Sequence, residues 1–226
     1  MSGLVGRRLS AVVLALLCVA GVCPGSRADS TEIKLSDVPE VVRRAADQGA
    51  PNVIWVSATK HEEGKDVSFE LGGKNGKQRD VSVTVTANGK VEQIQTEMAF
   101  DDLPAAVSRA ALAAVPKFGA TDVYEVREGK DLYYSLEGQD ALRRPVSLYV
   151  STDGKVDEVS TEVTDRDVPK AVLKGLTATF PRFTATAYYE VRKDGKVDRY
   201  DIEGHGPKGA DERTESFRPD GKHIKE

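Results

Sequence analysis

Tyrosines and glutamates set into alternating segments are the side chains here with types and spacing suited to recognition. Tyr133 and Tyr149 fall on the polar phase of two such segments, with Ser147 beside them. Two further segments carry Tyr124 with Val126 and Tyr189 with Val191, which are assigned inward, so that Val123 with Glu125 and Tyr188 with Glu190 point outward. The candidate binding residues on an exposed sheet face are therefore Tyr133, Tyr149, Tyr188, Glu125 and Glu190. A tyrosine offers a flat apolar ring and a hydroxyl together, the combination enriched at protein interfaces. The competing explanation is that tyrosine favours strands and fills cross-strand pairs.

Catalytic chemistry has no comparable footing. The chain lacks a phosphate-cradling glycine loop, a dinucleotide fingerprint, a zinc-ligand pair and a serine-hydrolase elbow. His61, His205 and His223 stand in unrelated contexts and read as surface histidines. Asp101-Asp102 and Glu62-Glu63 read as a helix start and a solvated turn. Asn88-Gly89-Lys90 and Asp153-Gly154-Lys155 are hairpin turns without the spaced oxygen ligands of a calcium loop. The expectation is a non-enzyme with no cofactor and no metal. A formal charge of -4 without a basic block also excludes a nucleic-acid partner, whose phosphates need Lys and Arg.

The elements that must position these side chains recur along the chain. Its 226 residues are 39% apolar, enough for packed cores. Asp37-Val38-Pro39, Asp102-Leu103-Pro104 and Asp167-Val168-Pro169 are spaced 65 apart, as are Pro51, Pro116 and Pro181. Gly73, Gly138 and Gly204 follow with a small slip, then Asn88-Gly89-Lys90, Asp153-Gly154-Lys155 and Asp220-Gly221-Lys222. Each unit opens as a helix, with Asp37 as N-cap, Pro39 in the first turn, an apolar stripe at helical spacing, and Pro51 at the exit. Ala45, Ala110 and Gly175 are equivalent and small, which implies a close approach there. Alternation of period 2 follows: Val67-Phe69-Leu71, Val81-Val83-Val85, Leu132-Tyr134-Leu136 and Val146-Leu148-Val150 mark strands with one buried face. Trp55 fits either face, because Ile54, Val56 and Ala58 alternate one way and Thr59 and His61 the other; a bulge would reconcile them.

The expected fold is α+β: three tandem α-β4 repeats forming an antiparallel sheet of about eleven strands, with one helix per repeat packed on one face. The third unit has polar Arg213-Thr214-Glu215-Ser216 where the others alternate valines, so its last strand is expected to be truncated. The repeats span 35–98, 99–163 and 164–226, after a signal peptide over 1–28 and a linker over 29–34.

The leader reading rests on Arg7-Arg8, a short apolar stretch from Leu9 to Val22, and Ser26-Arg27-Ala28. That stretch is short of the ~20 residues a membrane-spanning helix needs. Cleavage near Ala28 removes both cysteines and three arginines, leaving a chain of charge -7 with neither disulfides nor thiol chemistry. No membrane span is expected in the mature chain, which is read as exported to the periplasm or beyond.

A helix opening with Asp-x-Pro-x-x-Val, a proline-marked exit and strands closing on Asp-Gly-Lys-Val resembles the PepSY-like repeat of secreted bacterial proteins, related in fold to the β-lactamase-inhibitory proteins. That resemblance implies helices on one side of a sheet and an open face on the other, with a binding or protease-inhibiting role outside the cytoplasm. The functional expectation is a non-enzymatic module that docks an unknown protein or peptide on its open sheet face. The alternatives are an inhibitor of an extracytoplasmic protease or other hydrolase, and a structural protein of the cell envelope.

Overall fold

In the computed structural model residues 29–206 and 212–225 are described. The signal peptide expected over 1–28 lies outside them. The order is β1 (Asp29–Ile33), α1 (Glu40–Gly49), β2 (Ile54–Glu63), β3 (Asp66–Lys74), β4 (Asp80–Thr86), β5 (Val91–Glu97), α2 (Ala105–Ala114), β6 (Gly119–Glu128) and β7 (Asp131–Gln139). It continues with β8 (Pro145–Ser151), β9 (Val156–Val163), α3 (Lys170–Thr179), β10 (Thr184–Lys193), β11 (Lys196–His205), β12 (Glu212–Phe217) and β13 (His223–Ile224). The strands form one sheet in chain order, each antiparallel to the next.

This corrects the expected three α-β4 units of about eleven strands: among the described residues the sheet has 13. The segment read as a linker is β1, paired with β2 from Asp29↔Glu62 to Ile33↔Ala58. Ile33 is its one apolar side chain, so β1 gives little alternation to detect. At the other end Ser216 and Phe217 of β12 still gain a partner in β13 despite the polar sequence. There the backbone ladder, together with His223 lying 5.1 Å from Phe217 ring to ring, replaces valine packing.

Alternation explains the packing. Val81, Val83 and Val85 of β4 pack with Phe69, Leu71, Val42 and Ala46 beneath α1. Leu136, Val146, Leu148 and Val150 pack with Val107 and Ala111 beneath α2. Tyr200, Ile202 and Phe217 pack with Val172 and Leu176 beneath α3. Directly paired residues share a face, so register shows how the three cores relate. Val83 pairs with Ile94, Ile94 with Arg127 and Arg127 with Leu132, on the α2 side of β7. Leu148 pairs with Val159, Val159 with Arg192 and Arg192 with Val197, beside α3. All three helices therefore cover the same face, over β4–β5, β8–β9 and β12–β13.

The helix starts differ from expectation. Pro39, Pro104 and Pro169 stand at the N-cap positions with no side-chain cap, and Asp37 and Asp102 end short 3₁₀ turns. Asp167 instead accepts hydrogen bonds from the backbone N–H and the hydroxyl of Thr164, at 3.1 and 2.7 Å. At the small helical positions a Cβ on Gly175 would lie 2.2 Å from the Gly221 carbonyl oxygen, so the hairpin turn presses on α3 there. Gly221 itself has φ +87°, the left-handed region that glycine enters freely.

Trp55 lies on the helix face. A break in register between Trp55 and Ser57 expels Val56 to solvent, and the indole N–H donates to Asp47 Oδ1 at 2.8 Å. Matching breaks fall at Ala120/Asp122 on β6 and Ala185/Ala187 on β10.

Candidate functional site

The five candidate residues do not form one patch. Tyr133 pairs with Val126 and Ser151, and Tyr149 with Ser135 and Glu158, all on the face without helices. Glu125 pairs with Tyr134, which is part of the α2 core, and Glu190 pairs with Tyr200, part of the α3 core. Tyr188 pairs with Ile202 and packs against the α3 core. Glu125, Glu190 and Tyr188 therefore belong to the helix-bearing face, which corrects their outward assignment, and Tyr124, Val126, Tyr189 and Val191 belong to the opposite one.

The cause lies in which strands the helices cover. α2 lies over β8 and β9 and α3 over β12 and β13, so β6 and β10 pass between helices. Charged side chains on that side can reach water. Glu125 accepts from Arg127 Nη2 at 2.8 Å, and Glu190 accepts from Arg192 Nε at 2.7 Å and from the Tyr200 hydroxyl at 3.0 Å. On the other side Val126 and Val191 are buried without any helix above them. An apolar pair on one phase of β6 or β10 is thus no guide to the helix side.

The helix-free face is built across β5 to β11. Tyr133 and Tyr149 meet edge to face with ring centroids 6.1 Å apart, a favourable aromatic geometry. The Tyr133 hydroxyl donates to Glu128 Oε2 at 3.3 Å; burial, then the Glu128 charge, pushes its pKa up to about 12. Burial also raises Tyr149, with Glu158 and Glu137 adding to it. Tyr189 donates to Glu203 Oε2 at 3.3 Å and is pushed up to about 12 by burial, Glu203 and Glu162. Tyr124 is raised by burial and then by the charges of Asp122, Glu137, Glu97 and Asp80. Burial, followed by Asp122, raises the Glu137 carboxyl as well. On the helix face, burial and then Asp165 raise Tyr188.

One ion-pair network crosses the helix-free face. Arg199 donates to both Glu158 oxygens at 3.0 Å and through Nε to both Asp201 oxygens at 3.0 Å. Lys193 approaches Glu158 at 3.4 Å, and the Ser216 hydroxyl donates to Asp201 at 2.6 Å. Burial works against the Arg199 charge, but the Glu158 and Asp201 hydrogen bonds outweigh it and raise its pKa. The bidentate geometry fixes both partners, as a buried charge pair requires.

Sequence reasoning missed Tyr124, Tyr189, Glu97, Glu137, Glu162 and Glu203 on this face. Spacing carries a signal for them: Glu97 and Glu162, like Tyr124 and Tyr189, are 65 residues apart, and Glu137 and Glu203 are 66 apart. Among the described residues no group of three His, Asp or Glu side chains is placed to hold a metal ion. No described helix is long and apolar enough to cross a membrane.

No family model and no curated protein matches the chain, so the PepSY-like label gains no family match. Among solved structures the chain is similar to a BLIP-like protein from Bacteroides fragilis, with 18% identity, 57% of this chain and 89% of that chain covered, and a TM-score of 0.45. It is also similar to a DUF2874 family protein from Bacteroides uniformis, at 18% identity, 54% and 88% coverage and a TM-score of 0.44. A third similar structure is a protein assigned provisionally to the periplasm of Bacteroides eggerthii, at 16% identity, 55% and 88% coverage and a TM-score of 0.45.

Proposed function

We propose that this protein is an exported, non-enzymatic binding module that docks a protein or peptide on the helix-free face of its sheet. The observation that carries this reading is that face itself: tyrosines on β6, β7, β8 and β10 lie on the side opposite all three described helices. Rigid aromatic rings on a sheet supply contact area at small entropic cost, and the hydroxyls add directional bonds. Export rests on the leader over 1–28, with cleavage near Ala28 placing the mature chain in the periplasm or outside the cell.

The test is capture from a cell-envelope fraction with the mature chain and two variants. Ser147→Trp places a bulky ring in the middle of the helix-free face, and Lys174→Trp places the same ring on α3. The expected result is a partner retained by Lys174→Trp and lost by Ser147→Trp, with thermal midpoints of both variants close to the parent. Equal retention by both variants would contradict the reading. A captured hydrolase whose activity falls on addition of the chain would narrow the role to inhibition.

A further inference from the structure

The two faces of the sheet differ in how their charges are matched: on the helix face Lys60, Arg127 and Arg192 pair with Glu62, Glu125 and Glu190, whereas the helix-free face carries carboxylates in excess. Lys60, Arg127 and Arg192 lie on the helix face, by register with Phe69, Ile94 and Val159. The helix-free face between β5 and β11 carries Glu97, Asp122, Glu128, Glu137, Glu162 and Glu203. Of its cations, Lys193 and Arg199 are already engaged by Glu158, and Lys196 stands at the hairpin end of β11, paired in register with Lys193. Among the described residues Glu97, Glu137, Glu162 and Glu203 have no ion-pair partner.

These carboxylates are grouped around tyrosines, and the grouping occurs twice. Tyr124 on β6 has Glu97 as its direct cross-strand neighbour on β5, with Glu137 on β7 two residues beyond its partner Ser135 and on the same face. Tyr189 on β10 has Glu162 as its direct neighbour on β9, with Glu203 on β11 within hydrogen-bond reach. An aromatic ring flanked by two carboxylates suits an ammonium or guanidinium group, which gains both the ring quadrupole and the ion pairs. Four inter-strand spacings of ~4.8 Å separate β6 from β10, which sets the two groups about 19 Å apart across the sheet. An extended chain at ~3.3 Å per residue covers that span in about six or seven residues.

We propose that the helix-free face holds two equivalent receptors for cationic side chains, Tyr124 with Glu97 and Glu137 and Tyr189 with Glu162 and Glu203, and that the partner is a polypeptide segment presenting two Lys or Arg side chains about seven residues apart. This rests on the docking reading above and names the chemistry of its partner. The two receptors act together: once one cation is seated the second binds intramolecularly, so the pair gains avidity that neither site has alone. The shared tyrosines Tyr133 and Tyr149 lie on the strands between them and give the intervening residues an apolar floor.

Fluorescence anisotropy on the mature chain tests this with three labelled peptides in a neutral background. One carries two lysines seven residues apart, the second carries the same lysines side by side, and the third has glutamine in both places. The first is expected to bind about tenfold tighter than either of the others at low salt, and to weaken as salt rises. Glu97→Gln/Glu137→Gln and Glu162→Gln/Glu203→Gln are each expected to remove most of that advantage, at unchanged melting temperature. Equal binding of the glutamine peptide, or indifference to both glutamine pairs, would overturn the proposal. If that peptide binding is still lost in Ser147→Trp, the docking reading stands with a partner of other chemistry. If adjacent lysines bind as tightly as separated ones, the two-receptor arrangement falls.

Discussion

The sheet has two faces of the same backbone and nearly opposite chemistry. Toward the helices, Leu71, Leu136, Leu148 and Ile202 are fully buried among apolar neighbours, mostly aliphatic with Phe69, Phe118, Tyr134, Tyr200 and Phe217 among them. Away from them, the buried side chains are Gln93, Ser135 and Glu158, interspersed with Val126 and Val191. The first face is closed by the chain's own helices through the hydrophobic effect. The second is closed only by its own long side chains, tyrosines and the Arg199–Glu158 fork. One residue of register separates the two chemistries, so the bulges at Val56, Thr121 and Thr186 decide which face a given side chain serves.

Four substitutions or titrations break or sharpen that contrast. The largest effect belongs to the helix face: Leu148→Ala, at a fully buried position, should cost about 3 kcal/mol through lost transfer energy and the cavity left behind. Chemical denaturation at neutral pH reads it directly. On the opposite face Arg199→Met should cost about 2 kcal/mol, because Glu158 and Asp201 lose their shared partner while partly desolvated. Adding Glu158→Leu should recover much of that loss, and a double-mutant cycle measures the coupling. A smaller loss, about 1 kcal/mol, is expected for Tyr149→Ala, which removes one edge-to-face contact from a half-buried ring. That substitution should nevertheless weaken partner capture far more than it weakens folding.

The smallest effect near neutrality is also the broadest. Tyr133 and Tyr189 on the helix-free face and Tyr200 on the helix face titrate near 12 when folded, above the ordinary value near 10. A raised folded pKa means the native state holds the proton more tightly. The stability this confers is complete below about pH 10 and is lost as pH climbs toward 12. Phenolate absorbance should therefore rise together with unfolding in that window, and Tyr133→Phe should soften the transition.

Much of the sheet was legible because valines on β4 and β8 alternate cleanly over a helix. The turns were legible too: glycine at positive φ follows Asn88, Asp153 and Asp220. β1 escaped notice because Ser30-Thr31-Glu32-Ile33 has almost no apolar content, although it echoes Gln95-Thr96-Glu97-Met98 and Ser160-Thr161-Glu162-Val163 at the same 65-residue spacing. Face assignment failed on β6 and β10, where Tyr124-Val126 and Tyr189-Val191 look like core phases. Those strands run between helices, so Glu125 and Glu190 on the helix side still find water and arginine partners. Three of the five candidate residues, Glu125, Glu190 and Tyr188, thereby fall on the helix face, while Tyr133 and Tyr149 lie on strands whose valines and leucines fix the phase.

The central claim is that the helix-free face, and no other, meets the partner. Photo-crosslinking in intact cells tests it most directly, with benzoylphenylalanine placed at Tyr149 in one strain and at Lys174 on α3 in another. A discrete adduct from position 149, absent from position 174, is the predicted outcome. An adduct from 174 alone, or none from 149 while the chain is folded and exported, would contradict it.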